Sequence, residues 1–209
     1  NRRGMGMTGA ALLAASAALH GGAGRVLVSL FDDGAMALDP AVPELMFRRF
    51  EALDLHQLTV VCGCGGGDAV RPVLPQVLSQ SLRLVLDADA LNAIAADSSL
   101  RSLVQARARR GLATVLTPHP LEAARLLGSG STAVQSDRLA AVLRLADDLA
   151  CTVVLKGSGT LIATPGEAPA LNLTGNARLG TAGTGDVLAG LIGARLAGGA
   201  TPFQAACAA

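Results

Sequence analysis

The sequence predicts an α/β fold with a mostly parallel central sheet, and three observations carry that prediction. Short, nearly continuous apolar runs recur at residues 58–62, 82–87, 113–116 and 152–155, the length and β-branched content of strands buried on both faces. Segments with helical spacing of apolar residues separate these runs, and strands alternating with helices make parallel β-α-β units. Each run ends in a cluster of glycine, charged or proline residues: 63–67, 87–92, 117–119 and 156–159. In an open parallel sheet, ligands bind outside the carboxyl ends of the strands, so the shared position of these clusters matters more than any one motif.

The elements follow in order. Residues 4–9, GMGMTG, form a GxGxxG loop leading into a helix over 10–20, and 25–30, RVLVSL, reads as a strand ending at Asp32 and Asp33. An acid about twenty residues after the glycines is also what a dinucleotide-binding module would show, with Gly4, Gly6, Gly9 and Asp32 as its binding set. The basic, then apolar start is read as this loop and helix rather than as a secretory leader. A loop and short helix carrying PELMFRRF are expected over 38–53, then a strand over 58–62 and the glycines of CGCGGGD. Helices are expected over 69–81, after DADALN, over 99–110 and over 136–150. Pro118 and Pro120 stiffen the turn after 113–116 and hold His119 between them. The run 152–155 enters KGSG, 160–164 returns as a hairpin strand, and 170–173 delivers the chain to NLTGNARLGTAGTGDVLAG.

Composition bounds the function. At 209 residues one domain, 1–209, is the economical reading. Mean hydropathy is +0.46, but alanine carries much of it and charges or glycines break every run before a membrane span accumulates. With a net charge of +1, no Trp, no Tyr and four Phe, the chain lacks the basic stripe and stacking aromatics of a nucleic-acid binder. The arginines at 107, 109 and 110 are read as the solvated end of a helix. Cys62, Cys64, Cys151 and Cys207 lack zinc spacing and lie in a chain too large to need a disulfide framework, which points to a reduced, cytoplasmic protein.

Asp186 is the residue on which the functional reading turns. Gly180, Gly183 and Gly185 allow a tight turn, and 187–196 has the apolar content of a buried helix, so the junction is a helix N-terminus where free N–H groups and the macrodipole favour an anion. There Asp186 reads either as a cap or as a general base facing a bound phosphate. Ala182, Gly183, Thr184 and Gly185 would form the anion hole. Lys156, followed by glycines, reads as a phosphate-binding ammonium or as a turn lysine; it precedes its glycines, so this is not a Walker A loop. Asn172, Thr174 and Asn176 read as ligand contacts or as turn formers, and Asp87 and Asp89 as a phosphate or metal support or as caps.

Together GMGMTGAALLAASAALHGGAG, CGCGG, VLDADALN, LTPHPLEAARLLG, VVLKGSGTLIATP and the NLTGNARLGTAGTGDVLAG stretch resemble, in order and spacing over essentially the whole chain, the ribokinase-like NAD(P)H-hydrate dehydratases. The resemblance implies a three-layer α/β/α fold and an ADP- or ATP-dependent dehydration, with Mg2+, of the S epimer of NAD(P)H hydrate. It implies that Lys156, Gly157, Ser158, Gly159, Thr160 and Gly185 bind the adenine nucleotide. Ala11, Gly65, His119 and Asp186 would contact the hydrate, with Asp186 catalytic. A homo-oligomer without nucleic-acid or membrane partners is expected, as is a chain incomplete at both ends, starting after the family's first strand and stopping in its final helix. Cys64 and Gly66 replace the usual Pro and Leu of the family's glycine turn, and Ala177 and Arg178 stand where Pro and Gly are common, which puts loop stiffness and affinity in question. The alternatives are a ribokinase-like kinase of hydroxymethylpyrimidine or hydroxyethylthiazole and a non-catalytic Rossmann module.

Overall fold

A computed structural model describes residues 8–31 and 36–209 of the chain. Its centre is a six-stranded sheet of order β3-β4-β5-β6-β7-β8, made of Thr59–Cys62, Arg83–Leu86, Ala113–Leu116, Thr152–Leu155, Leu161–Ala163 and Ala170–Leu171. The first four strands are mutually parallel, and β7 and β8 add antiparallel at the far edge. A separate parallel pair joins β1 (Leu27–Val28) to β2 (Met46–Phe47).

The period-2 alternation of the strands sorts their side chains into two layers. Leu84, Leu86, Leu116, Val153 and Leu155 pack with the branched residues of α2 (Leu74–Gln80), α3 (Ala88–Ala96), α4 (Ser98–Arg109), α5 (Pro120–Leu127) and α7 (Arg138–Leu149). Val85, Val115 and Val154 face the other way, onto α1 (Thr8–His20), α8 (Thr184–Ala197) and α9 (Pro202–Cys207). The result is the three-layer α/β/α arrangement expected. The second layer is built of small residues so that helices can approach: a β-carbon at Gly190 would lie 2.1 Å from the Ala14 carbonyl oxygen of α1. Among the described residues no helix is long and apolar enough to cross a membrane.

Several elements differ from the sequence reading. PELMFRRF is no helix: Met46 and Arg48 donate their amides to the Val26 and Val28 carbonyls, making β2, and only a 3-10 turn, Phe50–Ala52, follows. A partner strand distant in sequence overrides the local pattern there. The helix expected over 69–81 is cut to a 3-10 turn, Gly67–Val70, and α2, because Pro72 and Pro75 admit a new start but no continuous ladder. The one expected over 136–150 is α7, preceded by the separate α6 (Ser131–Ser136). Gly9 lies within α1, not in a loop, while Gly4, Gly6 and Asp32 lie outside the described residues.

Arg107 is the clearest correction. It is not solvated but 1% exposed, donating Nε to Thr114 Oγ1 at 2.8 Å, one terminal nitrogen to the Leu78 and Ser81 carbonyls at 2.9 Å, and the other to Ala113 O at 3.1 Å. Burial, with Arg110 nearby, lowers its pKa to about 10. The guanidinium fork thus collects carbonyls from the α2 end and the β5 start, which a solvated helix terminus would not do.

Candidate active site

The carboxyl ends of β3, β4, β5 and β6 bring the sequence-predicted clusters together. After β3, Gly63 takes φ 114°, and a β-carbon there would lie 1.9 Å from the Asp87 carbonyl oxygen, so only glycine lets this loop rest on the turn after β4. The contact is fixed by Asp89, whose amide donates to Gly63 O at 3.3 Å and whose Oδ2 accepts from Gly67 N at 2.8 Å. Between the two acids, Ala88 sits at φ 47°, a left-handed conformation uncommon outside glycine.

Asp87 stands at the N-cap of α3 yet caps nothing. Its Oδ1 accepts from Lys156 Nζ at 2.7 Å, with the two side chains 3% and 19% exposed. Lys156 is held from behind by its own amide, which donates to Pro118 O at 2.9 Å. The lysine comes up against the glycine turn of α8, where a β-carbon at Gly185 would lie 3.2 Å from Nζ. The ammonium and the positive end of α8 therefore point to one place, the pairing a bound phosphate requires.

Helix α8 starts at Thr184, earlier than the apolar run suggested, which puts Asp186 in its first turn. The N-cap is Gly183 at φ 92°, where a β-carbon would also run within 2.6 Å of Leu13 Cδ1, and no side chain caps the helix. Asp186 lies in the first turn without serving as a cap. Its carboxylate lies with Cys64 Sγ and an Asp87 oxygen in a cluster whose atoms are all within 4.8 Å of one another. Burial raises its pKa above the ordinary carboxylate value, Asp87 and Asp89 add to the rise, and the Cys64 hydrogen bond and Lys156 oppose it. Burial and the neighbouring acids push the Cys64 thiol far up, so it stays protonated and donates. This cluster does not form a resident magnesium site: the thiol is soft and protonated, and Asp87 is taken by an ammonium.

The other predicted residues divide. Thr184 braces the turn, its Oγ1 donating to Leu179 O and Thr181 O at 3.0 and 2.9 Å. Ala182 is exposed, whereas the Thr184 amide, expected in the anion hole, donates to Thr181 O at 3.4 Å and so is turned to the loop rather than to a ligand. In the loop after β6, Gly157, Ser158, Gly159 and Thr160 run along the surface, with Thr160 Oγ1 donating to Gly157 O at 3.0 Å. Asn172 accepts from Thr174 N and Oγ1, and Asn176 from Arg178 N, so both asparagines act as turn formers.

Ala11 and Gly65 share a cavity of about 720 Å3 between α1, β1 and the β3 edge, which Asp186 and Lys156 do not line. His119 is the N-cap of α5: its Nδ1 accepts from Leu121 N and Glu122 N at 3.2 and 3.3 Å, and Glu122 Oε2 accepts from His119 N at 2.8 Å. The other ring nitrogen, Nε2, lies 3.3 Å from Glu122 Oε1 on a half-exposed ring. Sequence reasoning missed Glu122, which is buried with its pKa raised by that burial; its place three residues after the helix-starting His119 was the legible signal. It also missed Cys64 as a partner of Asp186 and Arg138, which grips the loop after β6.

The three-layer fold places the chain among ribokinase-like proteins, one of which, from Enterococcus faecalis, superposes with a TM-score of 0.69 at 27% identity, covering 92% of this chain and 68% of that one. Within that class the chain belongs to the NAD(P)H-hydrate dehydratase family, whose sequence profile matches residues 4–209. It is 45% identical over 210 residues to the ADP-dependent (S)-NAD(P)H-hydrate dehydratase of Neisseria meningitidis, covering 97% of this chain and 70% of that one. It is 36% identical to the bifunctional NAD(P)H-hydrate repair enzyme of Escherichia coli, again over 97% of this chain but only 39% of that longer protein. The Bacillus subtilis ADP/ATP-dependent NAD(P)H-hydrate dehydratase, co-crystallised with ATP/Mg2+, superposes with a TM-score of 0.74 at 28% identity, covering 98% of this chain and 75% of that one. Such agreement favours the dehydratase reading over the vitamin kinase and the Rossmann module.

Proposed function

We propose that this protein uses ADP or ATP to dehydrate the S epimer of NAD(P)H hydrate, restoring NAD(P)H, with residues 1–209 acting as one ribokinase-like unit. The observation that carries the reading is the position of Asp186: a half-buried carboxylate that caps nothing, in the first turn of α8 and close to the Lys156–Asp87 pair. The family's relatives suggest the substrate class, and the approach of Lys156 to the glycine turn of α8 supports reading Asp186 as the base there.

Asp186 takes the proton of the ring hydroxyl at C6, and that oxygen attacks the terminal phosphoryl group of the nucleotide. The P–O bond to the departing ADP or AMP breaks as the new one forms. Phosphate then leaves from C6, a proton is lost from C5, and the C5=C6 double bond restores the dihydronicotinamide. A carboxylate whose pKa is raised toward the working pH is a better base for the first step than an ordinary one. Charge on the transferring phosphoryl oxygens is met by Lys156 and by the amides of Ala182, Gly183 and Gly185. Lys156, Gly157, Ser158, Gly159, Thr160 and Gly185 hold the nucleotide, while Ala11, Gly65 and His119 contact the hydrate. Magnesium carried with the nucleotide would supply charge neutralisation at its phosphates, with none of the described residues assigned as its ligand.

The test adds ADP or ATP with Mg2+ to the hydrate and follows recovery of the near-ultraviolet absorbance of the dihydronicotinamide. Nucleotide-dependent recovery is expected. No recovery, together with phosphorylation of a hydroxyethylthiazole or hydroxymethylpyrimidine, would replace the dehydratase reading with the kinase one.

A further inference from the structure

We infer that Arg138 is a positioning residue for the nucleotide: it grips the 155–158 segment from behind and sets how tightly the loop binds ADP or ATP. The inference rests on the reading of this loop as the nucleotide site.

Arg138 is the first residue of α7, the end of a helix where a cation is least favoured by the macrodipole. Its guanidinium turns away from the helix and spans the loop. One terminal nitrogen donates to the carbonyls of Leu155 and Lys156 at 3.1 and 3.4 Å, and the other donates to the Ser158 carbonyl. Gly157, at φ 147°, lets the chain wrap this fork, since a β-carbon there would lie 2.9 Å from the guanidinium. Asp137 Oδ1 caps α7 through Ala140 N at 2.9 Å, and among the described residues Arg138 makes no ion pair within 4.0 Å. The arginine therefore has carbonyl oxygens as its partners.

That choice of partners has a consequence for an anionic ligand. Carbonyl oxygens repel phosphate, and a loop built to hold one must turn them elsewhere. Arg138 gathers the carbonyl oxygens of residues 155, 156 and 158 onto one cation. The backbone of Lys156 is thereby fixed at both ends, by Pro118 O on its amide and Arg138 on its carbonyl, while its ammonium reaches Asp87. A planar fork does this and a point charge does so incompletely, since an ammonium cannot span oxygens set side by side.

The experiment measures Mg-ATP and Mg-ADP binding by calorimetry, and KM for nucleotide and hydrate separately, in the protein and in Arg138→Ala and Arg138→Lys. Hydrogen exchange of the 156–160 amides is read alongside. Arg138→Ala is expected to weaken nucleotide binding about 10- to 100-fold, the range for losing hydrogen bonds to a charged group. Hydrate KM should stay within about threefold, a tolerance inside the scatter of ordinary surface changes. Arg138→Lys should fall between, and only the loop amides should lose protection. Wild-type nucleotide affinity in a folded Arg138→Lys and Arg138→Ala overturns the role of Arg138 alone. An unmutated protein that binds no nucleotide overturns the loop reading and this inference with it. If Arg138→Ala does not fold, Arg138→Lys decides: unaltered nucleotide KM, or equal loss of both KM values, overturns the inference.

Discussion

Helices α4 and α7 start as helices generally do, and α3 and α8 do not. Asp97 and Asp137 sit just before α4 and α7 and accept N–H groups of the first turn, from Ser99 at 2.9 Å and Ala140 at 2.9 Å. Asp87 holds the same N-cap place before α3, and Asp186 lies in the first turn of α8, yet neither helix has a side-chain cap. Leaving a cap unmade forgoes about 1 kcal/mol per helix. At the start of α3 the chain also holds Ala88 at φ 47°. The carboxylates withheld from local bonding face each other's surroundings instead: Lys156 on Asp87, Cys64 on Asp186. The capping acids bond within a few residues, whereas the acids at the strand ends find partners remote in sequence.

The largest test of this contrast is Asp186→Asn. Loss of a general base should lower kcat by about 10²- to 10⁴-fold while nucleotide affinity holds. The same substitution should leave the thermal midpoint no lower than before. A carboxylate whose folded pKa is raised contributes stability below its unfolded pKa and loses it as pH rises through the folded value, so at neutral pH an amide, which never ionises, avoids that loss. A melting point that falls with activity would make Asp186 a structural acid like Asp97.

Next comes Lys156→Met. Removing the ammonium strands Asp87, 2% exposed, without its counter-ion, and breaking such a buried pair costs about 3–5 kcal/mol. Adding Asp87→Asn should return much of that stability without returning nucleotide binding, as read by denaturant unfolding and calorimetry. If the double variant binds nucleotide normally, Lys156 serves the fold alone.

What the sequence disclosed follows the range of the forces involved. Strands β5 and β6 were legible to the residue, because a strand covered on both faces is a short continuous apolar run. The strand-end clusters were legible for the same reason, since the pattern that ends a strand also marks the ligand side of the sheet. The 46–47 strand was not, because its partner at 27–28 is remote and PELMFRRF suits a helix locally. Arg107 was misread and Arg138 was not singled out, for a common reason. Charge and spacing say that an arginine lies near a helix end, but only tertiary structure says whether it turns to solvent or into a set of carbonyls. The pairing of Cys64 with Asp186 joins the loop after β3 to the first turn of α8, far apart in sequence, and no local signal foretells it.

That pairing sets the pH test. Dehydration should decline as pH falls through the Asp186 pKa, with the acid limb above the ordinary carboxylate value of 3.8 because burial and the charges of Asp87 and Asp89 disfavour ionisation. The Cys64 thiol and Lys156 work the other way. Cys64→Ala should therefore move the acid limb of kcat/KM to higher pH, and Cys64→Ser, which keeps a donor, should restore it. An acid limb indifferent to both variants would leave Cys64 as packing.

The smallest effect is the control that gives the contrast its meaning. Asp97→Ala removes a cap accepting from both the amide and the hydroxyl of Ser99, at 2.9 and 2.6 Å, and hydrogen bonding to Ser99 holds that carboxylate below its usual pKa. A small loss of stability is expected in denaturant unfolding, with kcat and both KM values unchanged. A depressed carboxylate stabilises the fold above its unfolded pKa and less as pH falls through the folded one, so the deficit of the variant should shrink in acid. Asp186→Asn should show the opposite pH trend in stability. If both substitutions gave the same trend, capping and uncapped acids would not differ in kind, and the case for Asp186 as the base would rest on its position alone.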